Sequence, residues 1–212
     1  MMNARKQWVK SVAAMALAVS SVAGMVAGAA PAMAQSSDPA AGSVDALNNG
    51  LIGIMKAGKG AGQSGRAQRI APVIDRVFDI PLMTRLAVGP SWNTIAPKDQ
   101  SALVAGFRNL TIAQFAHNFD DYSGEKFTIA PQVDTRGNDK LVRTTLTIPG
   151  HANEQINYRL RQSGGQWKVI DVYFRNSMSQ LATRQADFAG SLAKGGAPAL
   201  IDHLNKLAAS PE

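Results

Sequence analysis

Apolar residues recur at helical spacing through the first half of the chain and at alternate positions through much of the second. From Ser43 the pattern Val44, Leu47, Leu51, Ile54, Met55 predicts a helix. A glycine-rich stretch over residues 58–65 reads as a flexible break. A second helix is expected over residues 66–78, carrying Ile70, Val73, Ile74, Val77 and Phe78, with Pro72 where it could start or kink the regular part. Asp79-Ile80-Pro81 restarts a helix with Leu82, Met83, Leu86 and Val88, which Gly89-Pro90 stops. Residues 97–122 predict the longest helix, with Pro97 in its first turn. Leu103, Phe107 and Leu110 lie on one side of it; Val104, Ile112, Phe115 and Phe119 lie on another. A helix apolar on two sides is sandwiched between layers or walls a cavity.

After Ser123-Gly124 the period changes. Residues 127–133 read as a strand, and residues 140–148 place Val142, Thr144, Leu146 and Ile148 on one face with Arg143, Thr145 and Thr147 on the other. Ile156, Tyr158 and Leu160 alternate against Asn157, Arg159 and Arg161, and Ser163-Gly164-Gly165 turns the chain into a strand over residues 167–174. Two closing helices are expected over residues 179–194 and 198–208, separated by Gly195-Gly196. Helices, then an antiparallel meander of about four strands, then helices is an α+β order, not alternating βαβ.

The N-terminus changes the domain picture. Arg5, Lys6 and Lys10 precede an uncharged Ala/Val-rich stretch over residues 12–30 that closes on Ala32-Met33-Ala34. That is the three-part pattern of a cleaved secretory signal peptide over residues 1–34. Residues 35–42 read as a short mobile leader, and residues 43–208 as a single domain. The chain of 212 residues at +7 becomes 178 residues with 19 Lys+Arg against 15 Asp+Glu, or +4. This mildly basic balance has no run of three basic residues and is no nucleic-acid footprint. The absence of Cys excludes disulfides, thiol nucleophiles and Cys-based metal sites.

Familiar chemistries find little support. Residues 53–60 match G-x-x-x-x-G-K but end in Gly60 where Ser or Thr must ligate Mg²⁺. Residues 60–65 form a G-x-G-x-x-G, yet a helical pattern precedes both motifs in place of a strand. His117, His151 and His203 are scattered and make no metal set. An acid–base enzyme would need Asp171 or Asp79 as base with Tyr158 or Tyr173 polarising a carbonyl. Asp171, the one carboxylate in an otherwise apolar strand, is more simply a structural group.

The run Phe78-Asp79-Ile80-Pro81-Leu82-Met83-Thr84-Arg85-Leu86-Ala87-Val88-Gly89, with Trp92, Ala96-Pro97-Lys98-Asp99-Gln100 and Phe107, resembles the MlaC (toluene-tolerance) family of periplasmic lipid-binding proteins. Tyr122-Ser123-Gly124, Trp167-Lys168-Val169-Ile170-Asp171-Val172 and residues 179–204 with Phe188 fit in the same order. The likeness spans residues 44–208. One departure stands out: the family's Gly-Val-Ser after the last strand is Asn176-Ser177-Met178-Ser179 here. With Tyr173-Phe174-Arg175, this looks more like the hopanoid-associated HpnM branch than the phospholipid branch.

The resemblance implies a nuclear-transport-factor-like cone of sheet and helices around an apolar cavity. It also implies a phospholipid or hopanoid cargo and no cofactor. The implied partners are an inner-membrane ABC transporter with a mammalian-cell-entry domain and an outer-membrane lipoprotein complex. Two acyl chains carry roughly 30 methylenes at about 0.8 kcal/mol each, so leaving a bilayer costs on the order of 25 kcal/mol unless a protein buries them. The expected lining is Leu82, Leu86, Phe107, Leu110, Phe115, Phe119, Val142, Leu146, Tyr158 and Leu160. Arg85 and Arg175 are secondary candidates for meeting an anionic head group or a partner. The other readings are a cone-fold isomerase or dehydratase and a ligand-free periplasmic adaptor with a solid core.

Overall fold

The computed structural model describes residues 38–175 and 178–211. The signal-peptide pattern and Asn176-Ser177 lie outside the described residues. Helix α1 (Pro39–Ala57) begins four residues earlier than its apolar pattern announces. The Asp38 carboxylate accepts from the Ala40 N–H at 2.9 Å, Pro39 fits the first turn, and Ala40 and Ala41 are buried. Lys140 Nζ binds the other Asp38 oxygen at 2.6 Å, fastening the cap to the sheet. Small residues that read as leader therefore extend the helix over the sheet edge.

The glycine-rich stretch is ordered into a short 3-10 turn (Lys59–Ala61) and the start of α2 (Gly62–Val77), which continues through Pro72. The buried Arg66 holds it in place. Its Nε donates to the Ala116 carbonyl at 2.8 Å and its Nη1 to the Gly58 carbonyl at 2.9 Å. Ala116 lies in the last turn of another helix, where carbonyls lack intrahelical partners, so one guanidinium closes two chain ends. Both phosphate-loop lookalikes fall across this helix–turn–helix, without the strand that such loops require.

Helix α3 (Ile80–Val88) is capped by Asp79, whose Oδ1 accepts from the Leu82 N–H at 3.1 Å. Helix α4 (Pro97–Asn118) has nearly no net amphipathic direction because it is packed on several sides. The last helix, α5 (Gln180–Ala209), departs from helical geometry at Gly195 and Gly196, where two separate helices were expected.

The sheet has six antiparallel strands: β1 (Lys126–Ile129), β2 (Asp134–Arg136), β3 (Asp139–Thr147), β4 (Glu154–Ser163), β5 (Gln166–Phe174) and β6 (Met178–Ser179). Their order is β1-β3-β4-β5-β6, with β2 also on β3. Of the strand expected over residues 127–133 only 127–129 are in one, β1; the ladder stops before Pro131, which has no N–H to give it, and β2, beyond the expected range, pairs with β3 in turn. Gly164 and Gly165, both at positive φ, make the two-residue turn between β4 and β5. Val142, Tyr158 and Val172 are aligned across β3, β4 and β5 on the face that the helices cover. The α+β class read from the sequence is the fold observed, with two short strands more than the expected four.

Candidate functional site

At one end of the helix–sheet interface the core does not close. A cavity of about 190 Å³ lies between α4, the first turns of α5 and the inner face of β3 to β5. Its apolar wall comes from α4 and the three strands, with Phe78 and Met83 added from the α3 region. Aromatic rings run along it, Phe78 to Phe115 at 5.7 Å between centroids and Phe115 to Phe119 at 5.9 Å, and Phe127, outside the lining, supports Phe119 at 6.4 Å. Such contacts fix the rings without polar partners. Thr111, Gln114 and Asn118 add a polar edge from α4; Glu154, Arg175, Gln180 and Arg184 bring polar and charged groups from β4 to α5.

The expected lining residues divide. Phe107, Phe115, Phe119 and Leu146 are on the cavity wall. Leu110, Val142, Tyr158 and Leu160 have the right strand or helix face but are sealed in the closed core. Burial pushes the Tyr158 phenol well above its ordinary pKa. On α3, Leu82 packs against the core and Leu86 faces solvent at 37 % exposure, while Met83 reaches the cavity. Alternation tells which face a residue occupies, but not how far along the face the packed core ends.

Several wall residues were legible and not singled out. Ile148 and Ile156 share the inner parity of Leu146 and Tyr158, and Thr111, Gln114 and Asn118 form a polar stripe at helical spacing between apolar ones. Arg184 gave no sequence signal, because a single Arg in a helix is ordinarily solvated. Its Nη2 donates to Gln114 Oε1 at 2.7 Å, and its Nη1 is 4.0 Å from Asp187. Burial lowers its pKa from the ordinary arginine value. Arg175 Nε is 3.8 Å from Glu154 Oε2 at the cavity. Arg85 is exposed on α3, away from this lining.

The residues that an acid–base enzyme would use are placed elsewhere. Val172 lines the cavity, so its neighbours Asp171 and Tyr173 point to the opposite face. Asp171 accepts from the Val172 and Leu181 N–H groups at 2.8 and 3.0 Å and from Ser179 Oγ at 2.7 Å. It therefore anchors the start of α5. Asp79 caps α3, and neither it nor Tyr158 lines the cavity. Among the described residues no three His, Asp or Glu side chains converge on a metal position.

Residues 45–206 match the family described as MlaC protein. The chain belongs to the MlaC family. Among solved structures, the MlaC-family chain is similar to a phospholipid-binding protein from Ralstonia solanacearum in complex with a phospholipid. The TM-score is 0.67 at 22 % identity, over 79 % of this chain and 96 % of that one. Identity this low carries the fold alone. The comparison with curated proteins gives no match.

Proposed function

We propose that this MlaC-family protein is a non-catalytic lipid carrier of the periplasm. The observation that carries the reading is the 190 Å³ aromatic-walled cavity beside a core of buried apolar side chains. Interiors normally close such space, because an unfilled apolar cavity forfeits contacts. The relative solved with a phospholipid supports the same reading. On this measure one water occupies about 10–15 Å³, so the space holds on the order of a dozen to twenty small groups, close to one acyl chain. A two-chain lipid needs the walls to part.

The reading extends to the route. Residues 1–34 direct export and are removed, and the carrier then passes a phospholipid or hopanoid between an outer-membrane lipoprotein complex and an inner-membrane ABC transporter bearing a mammalian-cell-entry domain. Among the described residues no helix is long and apolar enough to cross a membrane. Protein purified without delipidation should carry close to one lipid per chain in native mass spectrometry, and the extracted mass separates phospholipid from hopanoid. Repeated preparations holding protein alone would refute the carrier and favour the ligand-free adaptor.

A further inference from the structure

The polar edge of the cavity contains a cation whose charge is poorly answered. Among the described residues Arg184 gives one hydrogen bond, 2.7 Å long, to the neutral amide oxygen of Gln114. The nearest carboxylate on its own helix, Asp187, is 4.0 Å away. That carboxylate is already engaged: His203 Nε2 is 3.0 Å from each of its oxygens. The other charged groups on the cavity wall, Arg175 and Glu154, are of opposite sign and 3.8 Å apart, so Arg184 supplies the excess positive charge. Its lowered pKa agrees with a guanidinium that has lost water without gaining a matched anion. One turn along α4 from Gln114, the buried Oδ1 of Asn118 has no hydrogen-bond partner among the described residues. Buried polar atoms are normally paired, so the guanidinium points to an acceptor on a ligand and the amide oxygen to a donor on one.

A cavity serving hydrocarbon alone gains nothing from a half-desolvated guanidinium. We propose that Arg184, held in place by Gln114, is an oxyanion anchor inside the cavity, taking the phosphate or carboxylate of an amphiphile whose chain lies along Phe107, Phe115 and Phe119. The guanidinium fork suits two oxygens of one group, and the Asn118 amide oxygen accepts from a hydroxyl or ammonium where the head carries one. This rests on the carrier reading and sharpens it: anionic lipids are selected over neutral ones of equal chain length.

The test is displacement of an uncharged naphthylamine dye from the full mature protein by palmitic acid and by cetyl alcohol at neutral pH. The acid should bind about tenfold more tightly, the size expected for a charge-assisted contact in a partly dry site. Arg184→Gln should remove most of that ratio, and Arg184→Lys should keep part of it. Equal affinity of the wild-type protein for acid and alcohol overturns the anchor while leaving the carrier intact, and needs no variant to fold. Displacement by neither compound refutes the carrier and the anchor together. Inorganic phosphate at millimolar concentration should not shift the acid's curve; loss of the acid preference in its presence would mean a free-anion site and overturn the amphiphile assignment.

Discussion

Phe119 closes the helical part of the cavity wall, with Phe115 on one side and Phe127 on the other. It is only partly buried, so replacing it perturbs the cavity more than the core. Phe119→Gln should weaken lipid retention by about 10- to 100-fold, the equivalent of one aromatic burial, with a fall in melting temperature of only a few degrees. Co-purified lipid counted by mass spectrometry against circular dichroism melting checks it; unchanged lipid content would move the binding site elsewhere. Leu146→Asp is harsher, since it also places a carboxylate among buried neighbours.

A second residue-scale case lies on the opposite face. Burial works to raise the Asp139 carboxyl, but hydrogen bonds from Arg161 and Arg159 outweigh it and hold its pKa below the usual carboxylate value. A depressed folded pKa means stability that is present above the unfolded value near 4 and is lost as pH falls through the folded one. Asp139→Asn should therefore cost about 1–2 kcal/mol at neutral pH, tempered by the half-exposed arginines, which can turn to water. The difference between wild type and variant in chemical denaturation should shrink below about pH 4. A constant difference across that range would remove the ion cluster as its source.

At the scale of elements, most of what the periodicity announced was formed, and the misses have physical reasons. α1 starts early because Asp38 and Ala40 gain partners that only the tertiary structure supplies. Residues 58–65 are ordered because Arg66 spans them to Ala116, a contact fifty positions away that no local pattern shows. The break at Gly195-Gly196 was legible because its cause is local. Gly196 has φ 65 and ψ −154, a conformation open essentially to glycine alone. The break separates the half of α5 that walls the cavity from the half whose Leu204 packs against Gly106, where an added Cβ would come within 3.2 Å. Gly196→Ala should lower stability by about 1–3 kcal/mol in denaturant titration although its Cβ has room, nearest to Pro198 Cδ at 3.9 Å. A neutral result would show that the chain can bend there without glycine. The site was less legible than the fold: the pattern marks faces, while the cavity depends on where packing between faces stops.

At the scale of the whole molecule, the filled and unfilled parts of the interior divide the domain. α1, α2 and the inner centres of β3 and β4 share a dense core around Leu47, Leu51, Ile70, Val142 and Leu160, all fully buried. The cavity is bounded by the C-terminal half of α4, the start of α5 and the strand ends near Ile148, Glu154 and Phe174. A ligand that binds only the folded state stabilises it by about 2.7 kcal/mol at a hundredfold excess over Kd. That stabilisation acts on openings that expose the cavity, and least on local openings within the dense core. Because the open space holds close to one chain, admitting a second must displace the wall that carries fewer buried anchors. The first turns of α5 fit this description: residues 180–187 contain no fully buried side chain. Hydrogen exchange on lipid-loaded and stripped protein should therefore slow most over residues 178–187 and 111–119 and change little within α1. Equal slowing throughout would mean that lipid acts only on global unfolding, with the cavity walls moving as one body with the core.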